Sequence, residues 1–379
     1  MDSLVKKSSI KKYFLYWTKT RNFYCNWISK TSLRQFFSED NNKIYELSPW
    51  WATTLVSKDN LNNKKWYQDL DFLINKKKTD YKINKNNLFF ITITLKLSKN
   101  FIKEVFWLIF IKLISFSRFK SLKNKKNCFH SYNYNFFWDQ DLKTFTDRSY
   151  GYAFEKKKFN QNFYLISVIK RKEFLKRLFN FRDNKKIISD EFLQLKQILY
   201  VYFKSVVILF KLLKYTRKEK KLFYINKVNC RSVLEPLLIS SFSGEIQNSI
   251  LRGLAIKNFL EKKRCEIFLS YGEFTPQYRP VYFFIKSLKN PPTIFTFQHG
   301  NANKNLLYNC NNKNDFTFKN IKLEGTTYSP KPDFYFTQGA QFDNILKKYF
   351  KNTKIIGPIK YDGVSFKKKV KKNKTKKIV

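Results

Sequence analysis

Apolar and polar positions alternate most informatively in the last third of the chain. "CEIFLSYGE" (Cys265 to Glu273) opens as an apolar run and ends in an acidic turn, the pattern of a buried strand. Pro276 is suited to open a helix running to about Leu288, because Tyr278, Val281, Tyr282, Ile285 and Leu288 repeat at helical spacing. A proline turn and a short strand, Thr293 to Gln298, follow, then a polar, Asn-rich stretch from about Asn301 to Tyr328. Pro332 to Gly339 reads as another strand, Phe342 to Phe350 as a helix, and Thr353 to Pro358 as a fourth strand. Such alternation of strands and helices predicts a parallel sheet with helices on its faces, a Rossmann-like α/β fold.

Upstream the pattern is weaker. "NLFFITITLKLS" (Asn87 to Ser98) alternates and is β-branched, which predicts a strand, and Phe101 to Phe116 predicts a helix. Lys120 to Lys186 carries little periodicity and reads as loops with short strands. Glu191 to Tyr215 has helical spacing, Leu222 to Val228 reads as a strand, and Glu235 to Lys262 as largely helical with a break at Gly244. These elements predict an N-terminal aromatic and basic α/β region over 1–186, a Rossmann-like domain over 187–366, and a basic tail over 367–379.

Composition changes the picture in one respect. The formal charge is +47, carried by 63 Lys and 12 Arg, while Gly and Pro number 9 each. Average usage gives roughly 27 Gly in this length. Lys, Asn, Ile, Phe and Tyr, the residues in excess, have A- and T-rich codons, so genome bias accounts for most of the charge. A dedicated nucleic-acid binder draws more on Arg, whose planar fork reads phosphate and guanine edges. The charge still attracts acidic lipids and phosphate-bearing ligands. The five cysteines are dispersed, with no pair at metal-binding spacing, so neither a zinc site nor a disulfide framework is expected. No secretory signal opens the sequence, and a cytoplasmic setting is expected. Two apolar stretches, Val105 to Phe116 and Ile198 to Leu213, are interrupted by Lys112, Lys204 and Lys211 and fall short of a span, but their basic faces suit peripheral contact with an anionic membrane.

The chemistry concentrates where the strands end. One of only two histidines, His299, lies in "TFQHGNANKN", directly after a predicted strand and before Gly300. In open α/β sheets ligands bind outside the carboxyl ends of the strands. Glu273, His299, Gly339, Tyr361 and Asp362 all lie at or just past such ends. An imidazole near neutral pKa suits the general base that a hydroxyl nucleophile requires, and a carboxylate on a neighbouring strand would orient it. Each residue also has a plainer reading. Glu273 serves equally as a helix cap, His299 as a strand-end imidazole bonded to backbone, and Arg279 as a phosphate grip or a surface ion pair. Gly339 reads as an anion-binding helix start or a tight turn. Trp50, Trp51 and His130 read as structural. No glycine-rich dinucleotide loop, P-loop or metal cluster stands out, and no cofactor is expected.

"YGEFTPQYRPVYFFIKSL", "TFQHGN", "PDFYFTQGAQFDNILKKYF" and "IIGPIKYD" follow one another as in bacterial surface-carbohydrate proteins. About 100 residues resemble capsule and O-antigen glycosyltransferase-like and CDP-glycerol glycerophosphotransferase-like families, and "ELSPWWATTL" resembles an N-terminal tryptophan pair in some members. The resemblance implies the N-terminal half of a two-domain GT-B-type architecture. It also implies transfer of a nucleotide-activated sugar or polyol phosphate to the hydroxyl of a lipid-linked or glycan acceptor at the inner membrane. By that resemblance Glu273 and His299 are catalytic, and Arg279, Gln298, Gly300, Gln338, Gly339, Lys360, Tyr361 and Asp362 bind substrate. Only 17 residues follow Asp362, where relatives carry a second Rossmann-like half. A truncated or split enzyme with a separate C-terminal half is therefore expected. The alternative is a basic RNA-binding protein that uses Lys for charge and aromatics for stacking.

Overall fold

A computed structural model describes residues 19–57, 65–76, 87–114, 122, 125–140, 143–151, 154, 161–181, 185–271, 277–298, 330–347 and 352–357. Short helices α1 (Leu33–Ser38) and α2 (Thr54–Ser57) and the longer α3 (Lys65–Lys76) lead to α4, a 28-residue helix over Asn87–Ile114. Strands β1 (Asn127–Tyr132), β2 (Phe136–Asp139), β3 (Thr144–Asp147), β4 (Asn162–Ser167) and β5 (Lys186–Ile188) follow, with α5 (Arg171–Lys176) between the last two. Next come α6 (Leu195–Lys218), a small hairpin of β6 (Tyr224–Ile225) and β7 (Val228–Asn229), α7 (Arg231–Ser240) and α8 (Glu245–Lys262). The chain then alternates through β8 (Ile267–Ser270), α9 (Arg279–Lys286), β9 (Thr293–Phe297), β10 (Phe334–Thr337), α10 (Ala340–Leu346) and β11 (Thr353–Ile355).

Seven strands form one sheet in the order β11-β10-β9-β8-β1-β4-β5, and every pairing in it is parallel. From β1 the chain steps outward through β4 to β5. It then returns past β1 and steps outward on the other side through β8, β9, β10 and β11. This is the doubly wound, Rossmann-like arrangement expected from the strand–helix alternation.

One expectation changes. Asn87 to Ser98 is not a strand but the first half of α4. Its β-branched alternation also fits a helix, because Ile93 and Leu97, four apart, are buried on one face. The weakly patterned 120–186 region holds short strands as expected, three of them in the main sheet. β4 is buried at all six positions and β1 at five of six, so no solvent face imposes a period of two. The sheet takes strands from both sides of position 186, and β5 straddles it.

Gly244 breaks the helical stretch as expected, with φ of 138° between α7 and α8. The small hairpin turns through Asn226 and Lys227, both at positive φ, which suits the right-handed twist of paired strands. Helix α9 starts at Arg279 with Pro280 in its first turn. Pro276, expected to open it, lies outside the described residues. α8 and α9 approach so closely at Gly253 that an added Cβ would lie 2.9 Å from the Pro280 carbonyl oxygen and 2.5 Å from a Phe284 ring carbon.

Candidate functional site

The order of the sheet reverses between β1 and β8, and there an open α/β sheet usually leaves a crevice. Here large side chains fill it. Tyr271, just after β8, is buried, and its hydroxyl accepts a hydrogen bond from the Tyr132 backbone N–H at 3.2 Å and another from the Asn135 side-chain amide. It pairs with the Ser131 hydroxyl at 2.8 Å, and Ser131 in turn donates to the Asp147 carboxylate. The other Asp147 oxygen accepts the backbone N–H groups of Ser149 and Tyr150 at 2.7 and 3.0 Å. Burial pushes the Asp147 carboxyl up to about 6, and these hydrogen bonds counter only part of that. Tyr150 packs on Tyr271 at 5.2 Å between ring centres. In place of a glycine-rich phosphate turn, β1 is followed by a tight turn of Asn133, Tyr134 and Asn135.

His130, one residue pair back on β1, is fully buried. Its Nδ1 pairs with the Tyr278 hydroxyl at 2.9 Å and its Nε2 with Ser167 Oγ at 3.0 Å, and its ring stacks on Phe268. Desolvation, with a smaller push from Arg252, lowers its pKa to about 3. This is the structural histidine expected from its aromatic surroundings.

The open volume lies one step along the rim. A cavity of about 520 Å³ sits at the carboxyl ends of β4 and β5, walled by Val168–Glu173 on one side and Asp190 and Leu193 on another. Helix α4 adds Asn100, Lys103, Glu104, Trp107 and Leu108, and α8 adds Asn248, Leu251, Arg252 and Ala255. Arg171 is engaged: it contacts Glu104 at 2.6 Å, donates to the Lys103 carbonyl oxygen at 3.1 Å and lies 4.9 Å from the centre of the Trp107 ring. Burial raises the Glu104 carboxyl above its usual range, against the opposing pull of Arg171. Asp190 accepts Trp107 Nε1 at 2.8 Å and the Val168 N–H at 3.3 Å. Lys170 pairs with Glu173 at 3.0 Å. Among the described residues this leaves Lys103, Lys172 and Arg252 as wall cations outside an ion pair. The Arg252 guanidinium lies 5.1 Å from the centre of the Tyr132 ring, and its Nη1 is buried with no hydrogen-bond partner. A wall of this kind suits an anionic group such as phosphate.

Of the residues expected at the site, Glu273, His299, Gly300, Lys360, Tyr361 and Asp362 lie outside the described residues. Their strands are described: β8 and β9 are parallel neighbours, with Ser270 paired to Thr296. Gln298 and Gln338 come together across the ends of β9 and β10. The Gln338 N–H donates to Gln298 Oε1 at 3.0 Å, and Gln338 Nε2 donates to the Gln298 carbonyl oxygen at 2.7 Å. Gly339 caps α10, a helix of seven residues whose first turn already holds the Asp343 carboxylate. That acid disfavours a second anion there. Arg279 is neither on the surface nor at the cavity. It is buried, with its guanidinium 5.2 Å from the centre of the Trp51 ring, and Trp50 and Trp51 are core residues as expected.

The cavity residues Glu104, Arg171 and Arg252 were not anticipated. One signal was available, since Glu104 is the single acid in the long apolar and Lys-bearing stretch that forms α4. The chain matches no family model, no curated protein and no solved structure. What the molecule itself establishes is a mixed α/β protein with a seven-stranded, all-parallel, Rossmann-like sheet. None of its described helices is long and apolar enough to cross a membrane.

Proposed function

We propose that the protein is a glycosyltransferase-like or glycerophosphotransferase-like component of surface-polysaccharide assembly, working peripherally at the cytoplasmic side of the inner membrane. In this reading an acceptor hydroxyl attacks a nucleotide-activated sugar or polyol phosphate. His299 takes the hydroxyl proton, Glu273 orients the imidazole, and the nucleotide departs with the bonding pair. The observation that carries the reading is the adjacency of β8 and β9. The carboxyl ends of these parallel strands, which precede Glu273 and His299 in the sequence, lie on the same rim of the sheet as the cation-walled cavity. Arg252 supplies a positive charge for a donor or acceptor phosphate there. The RNA-binding alternative needs aromatic rings on a basic surface. Trp50, Tyr24, Tyr67 and Tyr164 are instead buried, and that alternative is left with the exposed Phe106, Phe203 and Phe210 on the lysine-bearing helices α4 and α6.

The test combines binding and turnover. Addition of a nucleoside diphosphate should alter the fluorescence of Trp107, which borders the cavity, and Arg252→Gln should weaken that response about tenfold. Transfer from nucleotide-activated donors is assayed with the chain alone and with a second Rossmann-like half supplied. In the active mixture His299→Ala should slow turnover by roughly a hundredfold or more. Full turnover in that variant would remove the base assignment.

A further inference from the structure

Helix α4 is apolar on both sides. Ile93, Leu97, Trp107, Leu108 and Ile111 face the core. Yet Ile91, Leu95, Ile102, Phe106, Ile109 and Leu113 are between 50 and 81 % exposed. At about 100° per residue these six fall within an arc of about 60°, in a stripe about 33 Å long. A helix that is apolar all round is normally covered all round. Helix α6 lies alongside, with Phe101 of α4 against Tyr202 of α6 at 5.4 Å between ring centres. It has its own outward stripe of Leu195, Leu199, Phe203 and Phe210, each about half or more exposed. These four fall within about 80° of one another on the helical wheel.

The charges around the stripes identify what covers them. On the wheel, Lys96, Lys99 and Lys103 flank the α4 stripe on the side away from α6, and Lys196, Lys211 and Lys214 flank the α6 stripe on the side away from α4. α6 contains no acid at all, and the one acid of α4, Glu104, is turned into the cavity against Arg171. The surface is thus largely apolar and framed by lysines, with one further lysine, Lys112, between the two stripes. A second copy would bring the same lysines face to face in a chain of charge +47. An anionic bilayer supplies both an apolar interior and a negative surface. We propose that α4 and α6 together lie in the interface of an anionic membrane, with their outward stripes among the acyl chains and their lysines at the headgroups. The opposite side of α4 lines the cavity, so docking holds the cavity mouth within about one helix diameter, roughly 10 Å, of the membrane surface. Attachment rests on the exposed faces and not on the transferase reading. A protein that binds vesicles but transfers nothing would refute only that reading.

The test is sedimentation of the full chain with vesicles of phosphatidylcholine and phosphatidylglycerol and, separately, with phosphatidylcholine alone. The wild type should bind the mixed vesicles well and the neutral ones poorly. Phe106→Gln combined with Phe203→Gln should weaken binding to mixed vesicles by roughly tenfold to a hundredfold, with an unchanged circular dichroism spectrum. If that pair fails to fold, Lys99→Glu with Lys214→Glu, both on exposed margins, should weaken binding by about tenfold or more. The proposal is overturned if the wild type ignores anionic vesicles. It is also overturned if a folded variant binds as tightly as the wild type, or if the wild type is a dimer that the phenylalanine substitutions dissociate.

Discussion

Substituting His130 by Gln should leave a pH signature whose size follows from its surroundings. The ring is fully buried between Phe268, Tyr132 and Tyr278, with both nitrogens engaged by Tyr278 and Ser167. Its pKa in the folded protein falls to about 3, against about 6.5 in the unfolded chain. Below pH 6.5 the unfolded chain therefore takes a proton that the folded one refuses, and stability is lost progressively as pH falls from 6.5 towards 3. At pH 5 the loss relative to pH 8 is about 2 kcal/mol. Because pH 5 lies well above the folded value, the unfolded pKa alone sets that size. His130→Gln removes the term. At pH 8 the variant should be less stable by roughly 2–3 kcal/mol, through lost packing and one lost hydrogen bond. By pH 5 the gap should close by about 2 kcal/mol. Urea denaturation followed by tryptophan fluorescence at pH 8, 7, 6 and 5 measures this directly. The other histidine, His299, and the many lysines are common to both proteins and cancel in the difference. A gap that stays constant from pH 8 to 5 would refute the neutral, buried imidazole.

Asp147 should behave with the opposite sign. Its folded pKa is raised to about 6, so the folded protein gains a proton first, and wild-type stability from this group rises by about 1.4 kcal/mol between pH 8 and pH 5. Asp147→Asn lacks that gain, so its stability relative to wild type should decline by that amount on acidification, in the same urea series. Gly253→Ala raises helix propensity by about 1 kcal/mol but drives a Cβ to 2.9 Å from the Pro280 carbonyl oxygen. Overpacking of this kind costs about 1–3 kcal/mol. Net destabilisation at the urea midpoint is expected, and an alanine variant more stable than wild type would show that α8 and α9 separate freely.

Legibility in the sequence followed physical cause. β8 to β11 stood out because Pro and Gly bracket short apolar runs, and α9 because Tyr278, Val281, Tyr282 and Ile285 repeat at helical spacing, although all its residues from Arg279 to Ile285 prove to be buried. β1 and β4 were hidden. They place His130, Ser131, Asn162 and Ser167 inside the protein, so polar residues that read as loop are in fact satisfied within the sheet. The first half of α4 was misread because Ile and Thr at alternate positions satisfy a strand, whereas its neighbours, α6 and the turn at Ser241–Ser243, lie far along the chain. The cavity was illegible for a related reason: Glu104, Arg171 and Arg252 come from three separate helices. The pairing of Gln298 with Gln338 was half visible, since both follow predicted strands, but adjacency of β9 and β10 was needed to join them.

The aromatic excess explains why the open volume lies where it does. A phosphate turn at the reversal of strand order needs glycine there, so that backbone can approach the ligand closely. This chain places Tyr132 and Tyr271 at the ends of β1 and β8 instead, and their side chains meet over Ser131 and Asp147. Volume reappears where α4 and α8 stand off from the ends of β4 and β5. Arg252 links the two places, since the guanidinium that lies over the Tyr132 ring also belongs to the cavity wall. An anion bound there would contact a cation held against the filled crevice, so substitutions at Tyr132 should alter ligand affinity without touching the ligand. Tyr132→Leu removes the ring face while keeping an apolar side chain, and affinity for a nucleoside diphosphate should fall several-fold as the guanidinium loses its support. Unchanged affinity in a folded Tyr132→Leu protein would mean that the cavity recognises its ligand without Arg252.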